Sequence, residues 1–317
     1  MISVLMSIYK EKRKWVEESV QSILSQTYKD IELIIIIDNP QLSSDVYEYL
    51  SSILNKDDRV QLYYNRINIG LAMSMNLAIS KAKGEYIARM DGDDISLPNR
   101  LEIEHNYLLT NKVDMVTANV YIINEDGMVT GKDLPIPTNL ENELLYSNCI
   151  KHPTVMIKRN VIVEVGGYRD FPSGQDYDLW LRLLSSGYHI GVINQYLLKY
   201  RINSNAISSS HRLEQFYISK YQLKLYKQRR KKGIDSFSRK NLNMYLKEKR
   251  ITDIKNKKAY LALQQLDIGK KRFAMRELSY LGFVFHAFVI SPKITICVIL
   301  NFIRRTVTRI TIQWRMH

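Results

Sequence analysis

The segment Glu85-Tyr86-Ile87-Ala88-Arg89-Met90-Asp91-Gly92-Asp93-Asp94 decides how the rest of the chain is interpreted. Its first part predicts a short buried strand, which runs into three carboxylates packed around one glycine. Hard cations such as Mg²⁺ prefer oxygen ligands and usually bind one or two carboxylates together with substrate phosphates. Gly92 leaves room where a ligand must approach the backbone. The segment therefore predicts a site for a divalent cation carrying phosphate, and an acidic turn without a ligand is the alternative.

The sequence before this segment alternates between strand and helix patterns. Apolar runs predict strands over 2–8, 31–37, 60–64 and 85–90, and helical spacing of apolar residues predicts helices over 15–26, 43–54 and 71–81. This order predicts an α/β fold, mainly a parallel sheet flanked by helices. A G-x-G-x-x-G fingerprint after the first strand and a P-loop are both absent, which disfavours a dehydrogenase and a P-loop NTPase.

Polar side chains follow three of these predicted strands. Asp38 ends the second strand, Asn68 lies in the turn after the third, and Asp91 to Asp94 end the fourth. Ligands of parallel sheets bind at the carboxyl ends of the strands, so these residues predict one polar rim. For Asp38 the alternative is a local turn before Pro40, which its side chain would stabilise.

The pattern continues to about residue 201. It predicts a helix that begins at Pro98 and two more helices, over 140–147 and 158–165. It also predicts paired strands over 113–123 and 127–131, a strand over 152–157 and closing strands over 189–193 and 196–201. Between them, Gly174 to Leu184 form an amphipathic helix with Asp176 in its first turn. The helix dipole favours a carboxylate at that position, so a simple N-terminal cap is the alternative to a chemical role.

The charge divides the chain into two parts with different expected partners. Residues 1–210 contain 21 Lys and Arg against 26 Asp and Glu, a net −5, whereas residues 211–317 contain 25 against 6, a net +19. We predict domains with these bounds. The two cysteines, Cys149 and Cys297, form no disulfide framework or zinc pattern and fit a reducing compartment. The N-terminus enters a strand pattern without a basic leader, so no signal peptide is predicted.

The basic region 211–317 predicts helices over 212–232, 236–248, 252–266 and 269–281, followed by an apolar run over 281–303. Pro292-Lys293 interrupts that run and would be costly inside a bilayer. We therefore predict amphipathic helices lying in the membrane interface and attracted by anionic headgroups. A soluble helical subdomain and a single spanning or re-entrant segment are the alternatives.

Several blocks of this sequence resemble the inverting family 2 glycosyltransferases. They are Ser3 to Tyr9, Glu32 to Asp38, Asn68-x-Gly70-Leu71 with Asn76, Gly84 to Asp94, Gly166 to Arg169, Asp176 to Arg182, and Tyr200-Arg201. The resemblance covers about residues 1–210 and implies a GT-A-type nucleotide-sugar-binding fold. No block is decisive alone, but their order and spacing together are specific.

The resemblance also implies roles for individual residues. Asp93 would hold Mg²⁺ or Mn²⁺, Asp91 would contact the metal or the ribose, and Asp38 would accept a hydrogen bond from the base. Asp176 matches the catalytic base that takes the acceptor hydroxyl proton, whereas Asp178 faces elsewhere and is structural. The remaining implied contacts to the nucleotide sugar come from Ser7, Tyr9, Asn68, Arg89 and Gly92.

The sequence departs from the family pattern at several positions. Asn39-Pro40-Gln41 replaces a usually acidic or Asp-Gly-Ser continuation after Asp38, and Gln175 replaces an acidic residue. Asn203 stands where many members have a histidine that completes metal or diphosphate binding, and His211 is a candidate substitute. His152, in a His-Pro-Thr stretch seen near the acceptor pocket of relatives, is interpreted as structural or as a support for a site residue.

These features predict a bacterial glycosyltransferase, peripheral on the cytoplasmic face of the plasma membrane, in capsule or O-antigen synthesis. We expect a UDP-linked donor and an acceptor glycan carried on a lipid diphosphate, which the basic region 211–317 would concentrate near the enzyme. A nucleic-acid-binding protein and a sugar nucleotidyltransferase are the alternatives. The first lacks a recognition motif, and no nucleic acid is expected; the second lacks a glycine-rich basic N-terminal loop.

Overall fold

The structure is a computed structural model that describes residues 1–137, 139–202, 212–274 and 277–300. It divides into two compact units, one of residues 1–204 and 226–235 and the other of residues 205–225 and 236–317. The segment 226–235 of the predicted basic region therefore belongs to the first unit. The domain boundary at residue 210 stays a prediction.

The first unit is built on one mixed sheet in the order β3-β2-β1-β4-β8-β6-β9-β5, with β7 paired to β6. Its strands are β1 Ile2–Ile8, β2 Ile31–Ile37, β3 Val60–Tyr64, β4 Tyr86–Asp91, β5 Ile95–Ser96, β6 Met115–Ile123, β7 Val129–Lys132, β8 Met156–Lys158 and β9 Ile190–Arg201. The first four strands in this order are parallel, β8 is antiparallel to both neighbours, and β6 and β9 are parallel. The predicted α/β class is confirmed.

The helices of the first unit pack on this sheet and connect its strands. They are α1 Arg13–Leu24, α2 Ser44–Leu54, α3 Leu71–Lys81, α4 Arg100–Asn111, α5 Leu140–Leu144, α6 Arg159–Glu164 and α7 Gln175–Ser185. Every residue of β1 and β2 is buried, because helices cover both faces of a parallel sheet. Shortening a side chain such as Ile35, which is 0% exposed, is expected to cost about 2–5 kcal/mol.

The structure differs from the predicted strands at two places. The predicted strands 189–193 and 196–201 are one strand, β9. The residues between them are extra residues in β9, and the pairing with β6 shifts register between Ala118 and Val120 to accommodate them. The predicted strand 152–157 begins instead as a 3₁₀ turn, His152–Thr154, and only then enters β8. Pro153 has no backbone N–H to donate to a strand neighbour, which favours the turn.

The second unit is helical where it is described. Its helices are α8 Arg212–Lys232, whose residues from 226 belong to the first unit, α9 Arg239–Glu248, α10 Asp253–Ala274, α11 Tyr280–Ile290 and a further helical segment over 292–300. The prediction of separate helices over 252–266 and 269–281 is wrong, because α10 continues through Gly269. A Cβ at Gly269 would lie 3.4 Å from Cβ of Phe283 in α11, so this glycine permits close helix packing rather than a break.

The apolar run 281–303 is divided in the structure. Helix α11 ends at Ile290, and Pro292 opens the segment 292–300, while residues 301–303 lie outside the described part. Among the described residues, no helix combines the length and the apolarity that crossing a bilayer requires. Binding of this region in the membrane interface stays a prediction.

Candidate active site

An acidic cluster lies where β4 ends. Asp91 is the last residue of β4 and is in register with Ser7 on the neighbouring β1. One carboxylate oxygen from each of Asp91, Asp93 and Asp94 lies within 4.8 Å of the others. The sequence assigned metal contact to Asp91 and Asp93, and the fold brings Asp94 to the same point.

The electrostatics of this cluster favour a cation. Burial, and then the charges of Asp91 and Glu11, raise the pKa of Asp93 to about 7. Burial and the same kind of repulsion raise the pKa of Asp94 well above its usual value, and its Oδ2 atom is buried without a hydrogen-bond partner. A site with surplus negative charge, an unpaired buried oxygen and oxygen donors alone fits a hard divalent cation such as Mg²⁺ or Mn²⁺.

Arg201, at the end of β9, holds the acidic loop in place. Its backbone N–H donates to Asp94 Oδ1 at 2.8 Å, and its Nε donates to the carbonyl of Asp93 at 2.7 Å. Its Nη2 pairs with Glu18 Oε2 at 2.6 Å, and the guanidinium is fully buried. The sequence singled out Tyr200-Arg201 but gave Arg201 no role, because the loop that it holds is 107 residues away along the chain.

Glu11 is a residue of this site that the sequence analysis missed. Its carboxylate accepts hydrogen bonds from the backbone N–H groups of Tyr9, at 2.6 Å, and Lys10, at 3.0 Å. Burial raises its pKa, and the charge of Asp91 adds to the rise. The available signal was its position just beyond the carboxyl end of β1, which is adjacent to β4.

Asp38 organises the loop before α3. It is 3% exposed, and its carboxylate accepts from Asn65 Nδ2 and from the backbone N–H groups of Ile69 and Gly70, at 2.8–2.9 Å. Gly70 has a φ of +82°, which favours glycine there, and its N–H also donates to Asn68 Oδ1 at 2.9 Å. The predicted local turn exists, but Asn39 makes it by accepting from the N–H of Gln41 at 3.0 Å.

Arg89 and Gly92 lie on either side of Asp91 in β4 and the following turn. Arg89 is buried, donates to the carbonyl of Leu5 at 3.3 Å and pairs with the carboxylate of Asp91. A Cβ added at Gly92 would have its nearest contact with Ile8 Cγ1 at 3.4 Å, an ordinary packing distance. The surrounding protein thus tolerates a small side chain at position 92.

Asp176 lies in the first turn of α7, after Gly174. Asn148 Nδ2 donates to its Oδ2 atom at 2.7 Å. Burial raises the pKa of Asp176, the hydrogen bond from Asn148 opposes this rise, and the charge of Asp91 adds to it. After burial, the charges of Asp91, Asp94, Asp93 and Asp176 also raise the pKa of the Tyr200 hydroxyl. The acidic cluster and Asp176 therefore act electrostatically on one tyrosine.

Comparison with known proteins places this chain in a family. Residues 3–166 match the family model described as Glycosyl transferase family 2. The chain belongs to glycosyl transferase family 2. It is therefore a glycosyltransferase, and the family predicted from the sequence is confirmed. Membership also decides against the sugar nucleotidyltransferase alternative, and the expectation that no nucleic acid is bound stays a prediction.

Two relatives agree with this assignment. The O-antigen biosynthesis glycosyltransferase WbnJ of Escherichia coli is 38% identical over 235 residues, which are 73% of this chain and 90% of WbnJ. An E. coli protein named UDP-Glc:alpha-D-GlcNAc-diphosphoundecaprenol beta-1,3-glucosyltransferase WfaP is 32% identical over 66% of this chain and 80% of its own length.

The fold is also found in S. aureus TarS. Its fragment 1–349, solved in complex with UDP-GlcNAc, gives a TM-score of 0.58 at 16% identity over 78% of this chain and 70% of the fragment. A longer TarS structure is matched over only 42% of its length. This likeness supports the GT-A-type fold predicted from the sequence.

Other residues that the sequence singled out support the glycosyltransferase fold. Asp178 is fully buried and accepts from Arg182 Nε at 2.8 Å, and Arg182 Nη2 donates to the carbonyl of Gly167 at 2.5 Å. Asp178 thus has the structural position that was expected for it, because it fixes an arginine that binds the backbone before α7.

His152 contacts Tyr168 and Trp180. Its Nε2 atom lies 2.7 Å from the hydroxyl of Tyr168, and its ring lies edge-on to Trp180 at 6.0 Å. Burial, and then the charge of Arg89, hold the pKa of His152 well below its usual value. Asn76 fixes Tyr168 by bonding its backbone N–H and carbonyl, both at 2.8 Å. The role of His152 stays a prediction, and Asn203 and His211 lie outside the described residues.

Proposed function

We propose that this glycosyltransferase moves a sugar, with inversion at the anomeric carbon, from a UDP-linked donor to a hydroxyl group of a glycan carried on a lipid diphosphate. The reaction would be a step in bacterial capsule or O-antigen synthesis. The observation that carries the proposal is the acidic cluster at the end of β4, where carboxylate oxygens of Asp91, Asp93 and Asp94 lie within 4.8 Å of one another. The printed names of WbnJ and WfaP support the pathway and the lipid-linked acceptor.

The donor site would lie at the carboxyl ends of β1, β2 and β4. Asp91 and Asp93, joined by Asp94, would hold Mg²⁺ or Mn²⁺. When bound, the cation would neutralise the diphosphate leaving group. Asp38 and the loop that it fixes would contact the nucleotide base, and Arg201 would keep the acidic loop rigid. The contacts from the strand ends and turns would come from Ser7, Tyr9, Asn68, Arg89 and Gly92.

Asp176 would act as the general base. The acceptor oxygen attacks the anomeric carbon, the bond to the diphosphate breaks with its electron pair leaving on the diphosphate, and the hydroxyl proton moves to the Asp176 carboxylate. Burial prepares this carboxylate to receive a proton by raising its pKa, and Asn148 holds one of its oxygens. Attack from the face opposite the leaving group would invert the configuration.

The proposed location is the cytoplasmic face of the plasma membrane, with peripheral attachment through residues 211–317. Two observations support it: the net +19 charge of this region and the exposed apolar side chains in its described part. Among them, Leu278 is 80% exposed and Phe285 69% exposed. Anionic lipid headgroups and the bilayer interface would satisfy both features.

The test of the mechanism is the isosteric variant Asp176→Asn. We expect it to lose transfer activity, measured as UDP release with a panel of nucleotide sugars and acceptors, while UDP binding measured by calorimetry is retained. Glu141→Gln, which removes an exposed carboxylate from α5, is the matched control and should keep full activity. Full activity of Asp176→Asn would remove the role of Asp176. Proton NMR of the product tests inversion, since a retained anomeric configuration contradicts it.

A further inference from the structure

A cavity of about 310 Å³ lies within the second unit, and the proposed chemistry does not use it. It is lined by residues of α8 and α10, by Lys249 just after α9, and by residues 290–294, where α11 ends and the segment 292–300 begins. Its volume is at the lower end of the range of roughly 300–1,000 Å³ that is typical of ligand pockets. The cavity can thus take a headgroup-sized molecule rather than a whole lipid.

Four lysines surround this cavity: Lys249, Lys255, Lys258 and Lys293. The lining, as far as described residues form it, contains no aspartate or glutamate. The contacts recorded for three of the ammonium groups are to uncharged groups. Lys255 donates to the carbonyl of Arg250 at 2.9 Å, Lys293 to the hydroxyl of Tyr217 at 3.2 Å, and Lys249 lies 4.4 Å from the ring centre of Tyr245. The cavity therefore concentrates positive charge and favours an anion.

The rest of the lining is apolar. It includes Leu213 and Ile294, which belong to a small hydrophobic core, together with Phe216 and Ile290. The helices beside it also leave large apolar side chains exposed. Val289, just before the lining residue Ile290, is 63% exposed, and Ile296, just after Ile294, is 46% exposed. An occupant that carries an anionic group and an apolar chain would match both parts of this surface.

We propose that this cavity binds the phosphate group of an anionic membrane phospholipid. A phosphate diester accepts hydrogen bonds from ammonium donors and offsets part of their positive charge, while the start of the acyl region covers the exposed apolar side chains nearby. The phosphates of a nucleic acid would pair with the lysines but would leave apolar side chains such as Val289 exposed to water. The site rests on the proposed attachment of residues 211–317 to the membrane and gives that attachment a specific lipid-binding site. It is independent of the sugar transfer, since no group of the acidic cluster takes part.

The test is calorimetric titration of the full chain with monomeric dihexanoyl phosphatidylglycerol. We expect saturable binding, with at least tenfold weaker binding of dihexanoyl phosphatidylcholine and of inorganic phosphate. The double variant Lys255→Gln/Lys258→Gln should weaken phosphatidylglycerol binding about tenfold or more, because each substitution removes a charge-assisted hydrogen bond to the phosphate. The matched control Lys240→Gln/Lys247→Gln removes two exposed lysines of α9 outside the cavity and should bind as the unmodified protein does.

A second double variant, Lys249→Gln/Lys293→Gln, removes two lysines that line the cavity from outside α10, and it should lose phosphatidylglycerol binding to the same extent. Misfolding of one double variant therefore does not decide the result. Equal losses in the control pair would overturn the proposal, because they indicate charge without a site. Inorganic phosphate or single-stranded DNA binding as tightly as the lipid would also overturn it. Tighter binding of farnesyl diphosphate than of phosphatidylglycerol would overturn it too, because it would identify a lipid-diphosphate carrier as the ligand. UDP-sugar hydrolysis in solution should be unchanged in both cavity variants, which separates this proposal from the proposed function.

Discussion

Replacing Asn148 with alanine is expected to shift the pH dependence of sugar transfer. In the structure Asn148 Nδ2 donates to Asp176 Oδ2 at 2.7 Å, and this bond lowers a pKa that burial raises. The donor stabilises the charged carboxylate, so its removal favours the protonated form. Since a general base must start deprotonated, we expect the acidic limb of the pH–rate profile to move to higher pH.

The size of this shift follows from the hydrogen bond and its exposure. A hydrogen bond to a charged group contributes about 1.5–3 kcal/mol, and 1.36 kcal/mol corresponds to one pKa unit. The side chain of Asn148 is exposed, so water replaces part of the lost interaction. We therefore expect a shift of about one unit. The isosteric variant Asn148→Asp should give a larger shift, because two carboxylates at this distance share one proton.

The assay is kcat/KM for UDP release between pH 4 and pH 9, with UDP affinity measured on the same samples. UDP affinity should be unchanged, since Asn148 contacts none of the proposed donor residues. Asn142→Ala, which removes an exposed amide from the nearby α5, controls for general effects in this segment. A profile of Asn148→Ala that superimposes on that of the unmodified enzyme would refute the assignment of Asp176 as the base.

Three further predictions concern the acidic cluster. Arg201→Met should lower the free energy of unfolding by roughly 3 kcal/mol in urea denaturation and weaken Mn²⁺ binding about tenfold, since it frees the Asp93 carbonyl and removes the buried arginine that pairs with Glu18. Unchanged Mn²⁺ affinity would contradict the role given to Arg201. Gly92→Ala should leave the thermal midpoint unchanged, because the nearest contact of the added Cβ is at 3.4 Å. It should raise the KM for the donor, because the added methyl group obstructs the approach of the donor to the backbone. An unchanged KM would contradict a donor contact at Gly92. Without metal, the thermal midpoint should fall as the pH rises from about 4 to about 7. The pKa of Asp93 is raised from 3.8 to about 7 in the folded protein, so the folded state binds this proton more tightly than the unfolded state does. The stabilisation from that proton is lost over this pH interval. Mg²⁺ or the variant Asp93→Asn should flatten the decline, and a midpoint independent of pH in EDTA would count against the raised pKa.

Much of the first unit was determined by sequence alone. The strands 2–8, 31–37 and 60–64 and the helix 71–81 have the bounds that their apolar patterns predict. Strands buried on both faces give continuous apolar runs, and helices packed on a sheet give apolar residues with a 3.6-residue period. Burial of these elements can therefore be predicted from the local sequence. The acidic cluster was equally visible, because its ligand-type side chains are neighbours in sequence. The roles of its residues in catalysis stay predictions.

Tertiary structure decided the contacts that join distant residues. Arg201 reaches the acidic loop because the end of β9 pairs with β5 immediately beyond that loop. Asn148 reaches Asp176 from a loop after α5, and Glu11 comes beside Asp91 because β1 and β4 are paired. None of these partners leaves a local pattern, since a hydrogen bond between segments depends on strand register and loop path. Local sequence thus determined which segments are buried and which end in carboxylates, whereas the folded chain alone decided which side chains hold those carboxylates and shift their pKa values.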